Sequence, residues 1–171
     1  MNLKSKIREV PDFPKKGILF YDITTLLKEK DAFLEVIAQM TDPFRGQNIE
    51  KVVAVESRGF IFGTAVAQQL GVGFVPVRKP GKLPYKTIEA SYQLEYGSDK
   101  LAIHEDAISN GERILIIDDL LATGGTISAT VDLVKKLGGD IVSVAFVIEL
   151  SFLKGREKLC GLPVFSLLTY D

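Results

Sequence analysis

The sequence predicts an α/β fold: a parallel or mostly parallel sheet flanked by helices on both faces. Apolar, β-branched runs alternate with segments of helical period along most of the chain, the pattern of β-α-β units. The runs Arg113 to Ile117 and Ile141 to Ile148 are nearly unbroken in apolar character, as strands buried on both faces are. Glycines stand where helices must stop, at Gly71 and at Gly138-Gly139.

Taken in order, Pro11, Pro14 and Gly17 mark an irregular N-terminal stretch. Asp31 is placed to cap a helix near 32–41, with Phe33, Leu34, Ile37 and Met40 as its apolar stripe. Residues 51–56 read as a strand, and 58–70 as a helix with Phe62, Val66 and Leu70 on one face. Residues 73–77 are a second strand. Residues 79–98 carry Pro80, Gly81, Pro84 and Gly97 between lysines and read as a long loop, with a short ribbon at 90–96. Loops of that length are usually functional or disordered. The strand at 113–117 leads to a helix at 125–137, whose Lys135 and Lys136 suit the negative end of its dipole. Strands at 141–148 and 164–168 complete the set.

Composition narrows the class. The 171 residues suit one domain spanning 1–171, since domains commonly run roughly 100–200 residues. Hydrophobic residues make up 46% and charged residues 25%, which excludes a disordered or fibrous chain. The 21 basic and 22 acidic residues nearly cancel, so nucleic acid is not the expected partner. One cysteine and one histidine exclude an internal disulfide and a Cys/His zinc site. No G-x-S-x-G elbow accompanies His104, and Cys160 and His104 read as structural or surface residues. The first residues lack the apolar core of a signal peptide, and no run approaches the roughly 20 residues that span a bilayer. A cytoplasmic protein with no membrane partner is expected.

The chemistry concentrates in Ile114-Leu-Ile-Ile-Asp-Asp-Leu-Leu-Ala-Thr-Gly-Gly-Thr126. Asp118 and Asp119 end a strand, and Ala122, Thr123, Gly124, Gly125 and Thr126 open a helix. Glycines let the backbone approach an anion, a helix start offers unpaired N–H groups, and the threonines add hydroxyl donors. Together they make a cradle for a phosphate monoester. Carboxylates a few residues upstream can accept hydrogen bonds from vicinal hydroxyls or hold Mg²⁺ through water. No Walker A loop and no strand-borne G-x-G-x-x-G occurs.

That string resembles the phosphoribosyl pyrophosphate (PRPP) signature of the type I phosphoribosyltransferases. Val55-Glu-Ser-Arg-Gly-Phe60 resembles the pyrophosphate turn of the purine enzymes, and Ser91-Tyr-Gln-Leu-Glu-Tyr-Gly97 the flexible-loop signature of the adenine-specific ones. Phe13-Pro14, Gly17-Ile-Leu-Phe20, Asp22-Ile23, Arg78-Lys-Pro-Gly-Lys-Leu-Pro84 and Leu153-Lys-Gly-Arg-Glu-Lys158 are similar to segments of the same family. The resemblance covers nearly the whole chain and implies a small N-terminal hood over about residues 1–30 and a flexible catalytic loop over about 79–98. It implies a purine-salvage glycosyltransferase that joins adenine to PRPP, giving AMP and pyrophosphate with Mg²⁺ as cofactor, and working as a homodimer.

The same resemblance assigns the residues. Ala122 to Thr126 would take the 5′-phosphate; Asp118 and Asp119 would hold the ribose hydroxyls, directly or through Mg²⁺. Ser57, Arg58, Arg78, Lys79 and Lys82 would meet the pyrophosphate, with a non-proline cis peptide in the Ser57–Arg58 turn. Glu95 would be the general acid/base, with Tyr96 capping the closed loop. Leu26 and Leu150 occupy the family's adenine-wall positions, although either could instead be a core leucine. Tyr21 departs from the basic residue common in the family at that position.

Overall fold

The computed structural model describes residues 1–94 and 96–171. A 3-10 turn, Leu3–Lys6, leads into β1 (Arg8–Val10), which pairs antiparallel with β2 (Phe20–Asp22). The short α1 (Thr24–Leu27) and the longer α2 (Lys30–Thr41) follow. Next come β3 (Lys51–Val55), α3 (Arg58–Leu70) and β4 (Gly73–Val77), with β3 and β4 parallel. An antiparallel ribbon of β5 (Thr87–Gln93) and β6 (Ser98–His104) precedes β7 (Arg113–Leu121), α4 (Gly125–Lys136), β8 (Asp140–Leu150) and β9 (Val164–Tyr170).

The central sheet has five strands in the order β4-β3-β7-β8-β9, and all neighbours run parallel. Its middle strand β7 is apolar on both sides because each side meets helices. Ile114 and Ile116 pack in one core with Ile127, Val131 and Val134 of α4. Leu115 and Ile117 pack in the other with Val36 and Met40 of α2 and Phe62 and Val66 of α3. Burying each such side chain is worth about 1.5–3 kcal/mol, which is why period-3.6 stripes facing a two-sided strand specify this layering.

The chain leaves β3 toward β4 on one side and later returns to build β7, β8 and β9 on the other. Strand order therefore reverses between β3 and β7. In open parallel sheets the crevice beyond the carboxyl ends at such a point is where ligands bind.

Several boundaries differ from the sequence reading. The α2 helix starts at Lys30 with Glu29 at its N-cap, so Asp31 sits in the first turn and does not cap. There a carboxylate still favours the helix through its dipole. Leu34 is exposed and Ala32 and Val36 are buried instead, because the helix turns its 32-36-40 side to the core. The ribbon spans 87–104, longer than the expected 90–96, since Thr87 to Gln93 finds a full partner in the strand after Gly97. Backbone bonds in both directions between Arg78 and Ala102 fasten it to the end of β4. The β7 strand runs through both acids to Leu121, because its pairing with β8 continues to Glu149. Among the described residues, no helix is long and apolar enough to cross a membrane.

Candidate active site

A cavity of about 400 Å³ opens at the β3/β7 reversal. Its lining is contributed by two strand ends: Glu56 to Arg58 after β3, and Asp118 to Ile127 from the end of β7 into α4. Seven sequence-predicted residues on the β7 side (Asp118, Asp119 and Ala122 to Thr126) and Ser57 and Arg58 on the β3 side thus converge.

The β7 side supplies the anion cradle. Gly124 is the N-cap of α4 at φ 85°, a left-handed conformation that favours glycine, and no side chain caps the helix. The first-turn N–H groups of α4 are thereby left for a ligand at the positive end of the dipole.

Asp118 and Asp119 form the floor, 9% and 7% exposed. The Asp119 N–H donates to Asp118 Oδ1 at 2.8 Å. Burial first, and then the charge of Asp119, push the Asp118 carboxyl well above its ordinary range, while Arg58 pulls the other way. Gly59 makes room for this carboxylate, since a Cβ there would stand 2.7 Å from Asp118 Oδ1.

Arg58 opens α3, against the dipole, and is held by contacts that repay that position. Its Nε lies 2.9 Å from Asp119 Oδ2, and its guanidinium lies over the Phe20 ring at 5.4 Å. Ser57 occupies the α3 N-cap position without a side-chain cap bond, so its hydroxyl is not spent on the helix. The peptide bond between Glu56 and Ser57 is cis, as is Phe13–Pro14.

The basic segment after β4 gathers on Glu56, a residue that the sequence reading did not single out. Glu56 accepts the Lys79 backbone N–H at 2.8 Å and Lys82 Nζ at 2.8 Å, and Arg78 Nε lies 3.3 Å away. Burial would raise its carboxyl, but the Lys82 and Lys79 bonds and the nearby cations hold it below the usual range. Arg78 and Lys82 thus stand beside the cavity through Glu56. The Lys79 ammonium points elsewhere, onto Asp99 and the Tyr92 hydroxyl. The sequence signal for Glu56 is its place inside the Val55–Phe60 segment, one residue before Ser57 at a strand end.

Leu26 is fully buried and Leu150 is 8% exposed; both belong to the α2/α3 core layer, and neither is among the residues that line the cavity. Glu95 lies outside the described residues. Tyr96 is exposed. Tyr21 packs tilted against Tyr170, with ring centres 4.2 Å apart and 39° between the planes. Among the described residues no group of three or more His, Cys, Asp or Glu side chains forms a metal cage.

Comparison with known proteins gives one consistent result. Residues 22–159 match the phosphoribosyl transferase domain family. An adenine phosphoribosyltransferase of Acidobacterium capsulatum is 61% identical over 169 residues, covering 99% of this chain and 93% of the relative. The crystal structure of adenine phosphoribosyltransferase from Thermoanaerobacter pseudethanolicus superposes with a TM-score of 0.95 at 53% identity, covering 98% of each chain. That from Saccharomyces cerevisiae, complexed with an imino-altritol bisphosphate and adenine, gives 0.91 at 43% identity, covering 96% of each. With most of its length inside the family model and near-full-length relatives this similar, this protein belongs to the phosphoribosyltransferase family, in its adenine phosphoribosyltransferase branch.

Proposed function

We propose that this protein transfers the 5-phosphoribosyl group of PRPP to adenine N9, giving AMP and pyrophosphate in purine salvage. The observation that carries the reading is the convergence of the Ala122–Thr126 cradle and the Asp118–Asp119 pair in one cavity at the strand-order reversal.

The roles follow from charge. The cradle takes the 5′-phosphate through α4 N–H groups and the Thr123 and Thr126 hydroxyls. The two acids accept hydrogen bonds from the ribose hydroxyls. Negative charge grows on the leaving pyrophosphate as the C1–O bond breaks. Ser57, Arg58, Arg78, Lys79 and Lys82 are proposed to meet it, which requires Arg58 to exchange Asp119, both Arg78 and Lys82 to exchange Glu56, and the Lys79 ammonium to exchange Asp99, for a phosphate oxygen. Adenine is proposed to lie against Leu26 and Leu150, with backbone groups near Leu26 and Arg58 reading its edge, which requires the packing over both leucines to open, since neither lines the cavity.

A magnesium ion fits the donor set. Two adjacent carboxylates face the cavity, one of them destabilised by burial beside the other, and Mg²⁺ is commonly held by one or two carboxylates completed by water and substrate oxygens. Asp118 and Asp119 would hold it, and when bound it would supply charge neutralisation at PRPP. Glu95 is proposed as the group that exchanges a proton with the purine. Glu95→Gln is expected to lower kcat by roughly 10²–10⁴, the usual general acid–base contribution, and unchanged turnover removes Glu95 from the mechanism. A cytoplasmic homodimer completes the proposal.

The test is a panel of bases. Protein, PRPP and Mg²⁺ are mixed with adenine, hypoxanthine, guanine or orotate, and nucleotide formation is followed. AMP is the expected product; GMP or OMP in its place overturns the specificity, and tight PRPP binding without product points to a PRPP-sensing role.

A further inference from the structure

Behind the cradle lies an ion cluster built on one buried carboxylate, with a half-exposed arginine over it, that none of the roles above employs. Glu149, at the end of β8, is 6% exposed. Arg156 grips both of its oxygens, Nε to Oε1 at 2.9 Å and Nη2 to Oε2 at 2.5 Å. Ser166 of β9 donates its hydroxyl to Oε2 at 2.5 Å, and Arg156 Nη1 donates to the Val164 carbonyl at 3.2 Å. Such a fork is the geometry only arginine gives a carboxylate.

The cluster stands one residue from the phosphate loop by two routes. In the sheet, Glu149 is the register partner of Leu121, the residue before Ala122. Along the chain, Arg156 follows Gly155, which is pressed into the loop itself. A Cβ on Gly155 would collide with the Ala122 carbonyl oxygen and stand 2.9 Å from Leu121 Cδ1 and 3.1 Å from Gly124 N. Reciprocally, a Cβ on Gly124 would stand 2.6 Å from the Gly155 carbonyl oxygen. Lys154, just before, holds a left-handed φ of 54°, a conformation that surroundings must impose on a non-glycine residue. Arg156, held by Glu149, and the buried Leu159 anchor the segment that follows.

The geometry points to Arg156, Glu149 and Ser166 as positioning residues for the 5′-phosphate: they fix Gly155 as the back wall of the loop and so set the aim of its N–H donors. This inference rests on the reading of Ala122–Thr126 as the phosphate cradle. Binding energy there depends on donor placement, and a displacement near 1 Å can cost up to about a hundredfold.

The test is calorimetric binding of ribose 5-phosphate and, separately, of pyrophosphate, to wild type, Arg156→Ala, Arg156→Lys and Ser166→Ala. Arg156→Ala is expected to weaken ribose 5-phosphate by roughly tenfold to a hundredfold while pyrophosphate stays within about twofold. Arg156→Lys, which keeps the charge but not the fork, is expected to recover little of the loss. In steady-state assays the same variants raise KM for PRPP and leave KM for adenine in place. Unchanged ribose 5-phosphate binding, or equal weakening of both ligands, overturns the inference. Should Arg156→Ala fail to fold, the milder Arg156→Lys and Ser166→Ala carry the same split at smaller size. Wild type that binds ribose 5-phosphate but makes no AMP from PRPP and adenine sinks the proposed function and not the positioning role.

Discussion

The Asp118 carboxyl is held well above its ordinary range by its surroundings. Burial and the Asp119 charge both resist its ionisation, and Arg58 offsets only part of this. Hydroxyl donors or a cation brought beside the pair would favour its charged form. Gly59 is the residue that permits the arrangement. Alanine there would push on Asp118 Oδ1 from 2.7 Å, while Asp118 Cα at 3.5 Å stays in ordinary contact. The carboxylate can swing aside, so the fold is expected to survive while the acid pair loses its aim. Gly59→Ala should lower kcat/KM for PRPP by roughly tenfold to a hundredfold with little change in melting temperature. Kinetics indistinguishable from wild type would show that Asp118 orientation does not matter to the reaction. Legibility at this scale divides by distance along the chain. Asp118, Asp119 and the Gly-Gly-Thr segment are readable because their chemistry is local to thirteen consecutive residues. Glu56 is not, because its partners Lys79 and Lys82 come from beyond an intervening helix and strand.

Elements are placed by the same close approaches. The α3 helix must bring Arg58 over the acids, and it lies directly on β3 because Gly63 lacks a side chain. A Cβ at Gly63 would stand 2.6 Å from Ala54 Cβ and 3.1 Å from a Phe74 ring carbon. Neither neighbour can yield easily, since Ala54 is rigid and Phe74 is packed edge-on against Phe60. Gly63→Ala is therefore expected to destabilise the fold by about 1–3 kcal/mol, the usual range for overpacking, despite alanine's better helix propensity. Chemical denaturation that found the variant equally stable would mean that α3 can ride outward freely. The β8–β9 pair is tied by Glu149, whose carboxyl the Arg156 fork holds below its ordinary range, against burial and with help from Ser166. A carboxylate with a depressed folded-state value adds stability above its unfolded value, about 4.3 for glutamate, and that stability is lost as pH falls through the folded value. Wild type should thus lose more stability than Glu149→Gln as pH drops below about 4.3, in melts recorded from neutral to acid. Parallel curves for the two proteins would remove this ion pair from the acid transition.

For the whole molecule, the near-cancelling 21 basic and 22 acidic residues conceal a sorting by place. Acids collect at the end of β7, Arg58 reaches them from the start of α3, and Arg78 and Lys82 gather on Glu56 beside the cavity. The strand–helix alternation was legible because a parallel sheet covered on both faces leaves long apolar runs, as in β7 and β8. The inward side of α2 was legible at Phe33, Ile37 and Met40, which pack in the core, but not at Leu34, whose place Ala32 and Val36 take once the helix packs against α3. That packing leaves Leu34 54% exposed on α2 and Ile61 37% exposed on α3, two helices that pack on each other. Large aliphatic side chains left outward on adjoining helices suit a surface that a second copy of the chain covers. Ile61 is also three residues after Arg58, so an interface there would border the pyrophosphate end of the site. The proposed homodimer accordingly predicts a light-scattering mass twice that of the chain at micromolar concentration. Ile61→Glu, which places a charge on that face, should shift the species toward one chain mass and reduce activity in proportion to the dimer lost. A wild-type protein eluting at one chain mass sinks the dimer, and an Ile61→Glu variant that stays at two moves the interface to another face.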